Sequence, residues 1–194
     1  ISIPASVNTI GDSAFEGCTS LAKVSIPTSV KSIGKSAFKN CPGSPFKPFV
    51  YSQGGELNGV IRYLTNRTGG NIHNNGKIAI SASSSSKGDS NYNINVKNLC
   101  DFNDLSKKSM WTPANENNST LLFDFKDQII QITDYTLHTP SDLSGYTPKS
   151  WVVECSNDMD SWATVDTRNN EAVMNNKNVC HTFKCQSQSD NFYR

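Results

Sequence analysis

Neither sign of charge dominates this chain. Its 194 residues carry 18 Lys and Arg against 17 Asp and Glu, a formal net charge of +1. The cations are scattered, which leaves no electrostatic footprint for nucleic acid or an anionic membrane. No apolar run is long enough to cross a bilayer, and no secretory leader pattern is present. The six cysteines form no CxxC pair and no Cys/His metal spacing. His73, His138 and His181 lie far apart, outside any HxH, HExxH or CxH setting. A G-x-S-x-G elbow is absent. These absences remove the familiar signatures of hydrolases and metalloenzymes, and the chain reads as non-enzymatic. Paired acids of a glycosidase need a cleft built from separated segments. Asp158 and Asp160 share one turn instead.

What is present is repetition. Ser2-Ile3-Pro4 recurs as Ser25-Ile26-Pro27, Ser6-Val7 as Ser29-Val30, and Ile10-Gly11 as Ile33-Gly34. Ser13-Ala14-Phe15 recurs as Ser36-Ala37-Phe38, and Cys18 as Cys41, each pair 23 residues apart. A fixed period of this size marks a solenoid, whose units bury apolar faces only against their neighbours. About three units are normally needed for stability. The chain opens inside a repeat, at Ile1, so it reads as a piece of something longer. Each Ile-Pro pair is expected to end a short strand, since Pro cannot donate to a ladder. Gly11 and Gly34 mark bends. Residues 12–15 read as a short helical turn that sends Phe15 inward, with Phe38 one coil on. Leu21 and Val24 fill the layer between them. Cys18 and Cys41 should stack on adjacent coils. The cysteines as a group read as buried thiols in preference to a disulfide framework. Gly34-Lys35-Ser36 is not a phosphate loop, because Asp12 stands at the equivalent of Lys35 and no Gly opens the motif. The resulting pattern, IP-x-SV-x-x-IG-x-x-AF-x-x-C, closely resembles the BspA-type leucine-rich repeat. That resemblance implies long surface proteins of bacteria and parasitic protists that mediate adhesion.

Residues 1–41 are thus the repeat segment. Residues 42–48 hold Pro42, Gly43, Ser44, Pro45 and Pro48 and read as a linker. From residue 49 to residue 194 the chain shows short β segments with turns between them. They fall at 60–64, 77–80, 121–125, 130–137, 150–155, 162–165 and 179–183, with Phe192 last. Residues 156–160 form a hairpin turn. Such spacing predicts a mainly β fold, a sandwich or jelly roll. Residues 57–64, Gly69-Gly70-Asn71, Trp111, Pro148-Lys149-Ser150-Trp151, Glu154, Ser156-Asn157-Asp158 and Trp162 together resemble the discoidin, or coagulation factor 5/8 type C, family. The resemblance implies a galactose-binding-like jelly roll of eight strands. It also implies that the domain is incomplete at its C-terminus, because the family continues for two more strands past Arg194.

Two loops carry the candidate site residues. Asn66 to Gly76 is long, polar and Gly-rich, and the resemblance places such early loops at the ligand end of the jelly roll. Arg67, Asn71 and His73 can donate and accept toward sugar hydroxyls. The alternative is a plain surface loop with two turns. Asp101, Asn103 and Asp104 cluster oxygen donors, which suits Ca²⁺ or a loop cap. Sugar-binding relatives hold calcium at the corresponding turn, with Gly where this chain has Phe102. Trp111, at a strand–loop junction, is read either as core or as a stacking surface for a sugar ring. Trp151 and Trp162 are read as core. Sequons occur at Asn66, Asn117 and Asn118. The expectation is a binding or adhesion module that recognises a glycan or cell-surface protein, with no membrane span in this stretch. The alternative is an intracellular protein-interaction scaffold, which the lone cysteines favour.

Overall fold

A computed structural model describes residues 1–45, 59–86, 93–100, 109–114, 117–126, 128–139, 147–187 and 193. Residues 1–45 wind into two stacked coils. The first coil forms strand β1 (Thr9–Ile10) and the second β2 (Ser32–Ile33), which pair in parallel at the repeat offset, Thr9 with Ser32 and Ile10 with Ile33. Ser2 and Ser25 form a second parallel bridge just ahead of each Ile-Pro pair. Backbone bonds run from coil to coil along the whole unit. Ser13, Phe15 and Gly17 donate to Lys35, Ala37 and Lys39 at 2.7–2.9 Å, while Lys31 and Gly34 donate back to Asn8 and Ile10. Identical apolar positions therefore lie one above the other. Phe15 stacks on Phe38 at 5.0 Å, and Ile3, Ile10, Leu21, Val24, Val30, Ile33, Ala37 and Phe38 share one core.

The helical turn expected at residues 12–15 is a non-helical turn instead, with Ser13 (φ 52°) and its equivalent Ser36 (φ 56°) left-handed and a second left-handed residue following. Gly17 takes φ 70° and its equivalent Asn40 takes φ 57°, and these are the two residue types that enter that region at least cost. Repeat equivalence breaks down in burial. Ala37 and Cys41 are buried, whereas Ala14 and Cys18 are exposed. Cys18 is therefore not the buried thiol the sequence suggests. Cys41 lies beneath the first coil, while no coil covers the outer face of the first one among the described residues.

The rest of the described residues are mainly β. Strand β3 (Ala79–Ala82) pairs antiparallel with β6 (Leu121–Asp124), and short β4 (Asn93–Ile94) pairs in parallel with β5 (Ser109–Met110). Strand β7 (Asp134–His138) pairs antiparallel with β10 (Cys180–Lys184). Strands β8 (Trp151–Cys155) and β9 (Ala163–Arg168) form a hairpin with a bulge at Val153/Glu154. Tyr193 bridges Ile130, each N–H donating to the other's carbonyl. Ile129, the neighbour of Ile130, packs on the repeat core, so the two halves of the chain share apolar contact.

Residues 60–64 are not a strand. They open helix α1 (Val60–Thr68), which ends where the Gly69 N–H bonds to the Thr65 carbonyl at φ 72°. Val60 with Leu64, and Ile61 with Thr65, sit four apart and face the core of Ile72, Ile78, Ile80 and Phe125. A short, mostly apolar run such as Val60-Ile61-Arg62-Tyr63-Leu64 fits either structure, and here the four-residue spacing prevails. Trp162 also departs from expectation. It is 44% exposed, with its indole N–H donating to the Met159 carbonyl. Leu121 is exposed as well, although Phe125 on the same expected face is buried.

Candidate functional site

The last turn of helix α1 carries Arg67, and the loop from α1 to strand β3 carries Asn71 and His73. Its organiser is Asn71. The side-chain amide donates to the Lys97 carbonyl at 2.9 Å, and the side-chain oxygen accepts from the N–H of His73 at 3.0 Å and of Asn74 at 3.2 Å. The Cys100 thiol also donates to that oxygen, at 3.3 Å. Asn75 donates to the Thr68 hydroxyl. His73 is held to the neighbouring strand, where its Nδ1 accepts from the Ile80 N–H at 3.0 Å. Polar atoms that look available in the sequence thus fix the loop's shape. Arg67 stands apart from this net. It is exposed on the last turn of α1, and its guanidinium donates to the Tyr63 hydroxyl one turn earlier.

Trp111 is tied to a different segment. Its indole N–H donates to the Ser85 hydroxyl at 3.1 Å and to the Ser84 carbonyl at 3.3 Å. The ring is half-buried. Asp101, Asn103 and Asp104 lie outside the described residues. Among the described residues no group of three or more His, Cys, Asp or Glu side chains converges as a metal site.

Sequence reasoning missed a buried polar net between β7, β9 and β10. Asp166 is 1% exposed. One of its carboxylate oxygens accepts from the Tyr135 hydroxyl and, at 2.8 Å, from the Arg168 guanidinium. The other oxygen accepts from the Gln186 N–H at 3.3 Å. Trp151 donates to the Tyr135 oxygen at 2.7 Å, and Arg168 also donates to the Lys184 carbonyl at 2.6 Å. The Arg168 guanidinium lies 5.1 Å from the centre of the Phe183 ring, whose edge meets Trp151. Burial pushes the Asp166 carboxyl up, but the Arg168 and Tyr135 bonds outweigh it and hold the group below its ordinary value. Burial, with Asp166 alongside, pushes the Tyr135 phenol up. Every polar atom here has a partner within the fold, so the net is structural. One signal was legible: Asp166 and Arg168 sit two apart on a strand, hence on one face.

The β8–β9 turn is built the same way. The Asp158 carboxylate accepts from the N–H of Ser161 at 2.7 Å and of Asp160 at 2.9 Å, and from the Ser156 hydroxyl at 3.0 Å. These bonds, Ser161 first, hold its carboxyl down to about 2. A depressed carboxyl contributes stability that is complete above its ordinary value and is lost as pH falls through the folded one. Hairpin stability should therefore decline between about pH 4 and pH 2. In urea titrations across that window Asp158→Asn should lose less than the parent chain, and parallel losses would refute the assignment.

Two comparisons bear on this arrangement. Residues 1–47 match the BspA type leucine rich repeat region (6 copies) family. No curated protein matches the chain. The two coils are a BspA-type repeat segment.

Proposed function

We propose that the chain is a non-catalytic recognition module. In this reading the repeats are joined to a discoidin-like jelly roll, which meets a glycan or similar surface ligand through the last turn of α1 and the loop after it, and the repeats add protein contact. The observation that carries it is the internal bonding of that loop. With Asn71 and His73 spent on shaping it, Arg67 is displayed from a fixed frame, and a pre-organised surface loses less entropy on binding. A shallow site of this kind typically binds at Kd of about 1 mM to 1 μM, so several linked copies give useful avidity.

A glycan array tests the reading. Arg67→Ala should weaken the strongest signals about tenfold, or about 1.4 kcal/mol. Full retention in both Arg67→Ala and His73→Ala would remove the loop from the site.

A protein-interaction scaffold inside the cell is the second reading. It is favoured by the cysteines, all six of which are free thiols. The sequon asparagines Asn66, Asn117 and Asn118 are exposed. A mobility shift on endoglycosidase treatment of protein from its native cells would select the surface reading. An unshifted band, with thiols that all react with alkylating reagent in the denatured chain, would select the scaffold.

A further inference from the structure

Where the β1–β2 ladder meets the β-rich half there is a cleft of about 330 Å³. Ile10, Gly11, Ile33 and Gly34 also line it, with the two isoleucine side chains turned into the repeat core. One wall is the outward row of the ladder, Thr9, Ser32 and Asp12. The opposite wall comes from far along the chain, Asn157 in the β8–β9 turn and Tyr193 beside Ile130. We propose that this cleft binds a neutral polyhydroxylated ligand, a sugar ring that presents a vicinal diol to Asp12.

The chemistry of the walls selects that class. The row is rigid, because the Ser32 hydroxyl donates to Thr9 Oγ1 at 3.2 Å and Asp12 Oδ1 accepts from the Lys35 N–H at 2.7 Å. Bonding to Lys35 fixes the carboxylate and turns it into an oriented acceptor, and Oδ2 takes no other bond among the described residues. A carboxylate is acceptor-only and can take two O–H donors side by side, and such charge-assisted bonds are among the stronger ones. Thr9 carries a hydroxyl hydrogen that its bond from Ser32 does not use. The described lining contains no Lys or Arg side chain, which disfavours phosphate, sulfate or carboxylate ligands. The volume falls in the range of small-molecule sites. The inference uses different residues from the loop reading and stands without it.

Saturation-transfer NMR on the whole chain tests it, with the methyl glycosides of galactose, glucose and mannose at ~10 mM, well above a millimolar Kd. Putrescine and sulfate serve as competing probes. At least one glycoside should bind. Asp12→Asn keeps an acceptor for the Lys35 N–H, and Thr9→Val keeps the branched shape, so both should melt as the parent chain does while binding at least about tenfold more weakly. Should either variant fail to fold, the other and the Tyr193 ring resonances, which should shift on titration, still decide. Unchanged affinity in the folded variants overturns the proposal. So does binding of putrescine or sulfate without any glycoside, or a loss confined to Arg67→Ala and His73→Ala. That last outcome leaves the loop reading intact.

Discussion

Arg168→Ala should destabilise the fold by about 3–5 kcal/mol, the cost of leaving a buried charge without its partner. Asp166 has no water to turn to, since its side chain is fully buried, while that of Arg168 is 19% exposed. Truncation also removes the guanidinium from the Phe183 ring and from the Lys184 carbonyl. Arg168→Lys should recover only part of the loss, because an ammonium lacks the planar fork that reaches Asp166 and Lys184 together. Lys126→Ala is the matched comparison. It breaks an ion pair with Asp124 that is partly open to water, and should cost no more than about 1 kcal/mol. Urea unfolding of the three variants measures this. A loss below about 1 kcal/mol in Arg168→Ala would mean that the net contributes no more than a surface pair.

Gly34→Ala should be the second severe change, although Gly11→Ala at the same repeat position should be mild. A Cβ on Gly34 would sit on the Asp12 backbone nitrogen and 2.6 Å from the Gly11 carbonyl carbon. Backbone cannot swing aside as a side chain can. Overpacking of this sort costs about 1–3 kcal/mol or more. A Cβ on Gly11 meets nothing within 4 Å. Gly43 belongs with Gly34, since its Cβ would lie 2.5 Å from Lys23 N. In both cases the obstacle is the preceding coil, and neither position needs a left-handed backbone. Thermal melts of the three alanine variants give the ranking. A Gly11→Ala loss equal to that of Gly34→Ala would show that the glycines serve the bend itself.

The coils were legible because every layer repeats at one offset. Pairing of Ile10 with Ile33 and stacking of Phe15 on Phe38 follow from the period alone. Burial did not follow, because the period cannot say which coil has a neighbour above it, and Cys18 and Cys41 part company there. Helix α1 escaped because the short stretch Val60 to Leu64, apolar except for Arg62, shows no decisive period, and only the bonding of Thr65 and Gly69 reveals the turn. Hairpin β8–β9 was legible from Ser156-Asn157-Asp158, where the Ser156 and Asp158 side chains bond their own turn. Asp166 was not, since its partners Tyr135 and Gln186 come from distant segments. The candidate loop was visible as a stretch of polar residues, but which of its groups face inward depends on Ile80 in the next strand and on Lys97 and Cys100, which are remote from it in sequence.

The bond from Ile80 to His73 has a consequence for selectivity. A neutral imidazole with Nδ1 occupied as an acceptor keeps its hydrogen on Nε2, so the free edge of the ring is one-signed. It can give a hydrogen bond and cannot take one. On the glycan reading, that edge would favour acceptor oxygens such as carbonyl and ether groups over ammonium groups.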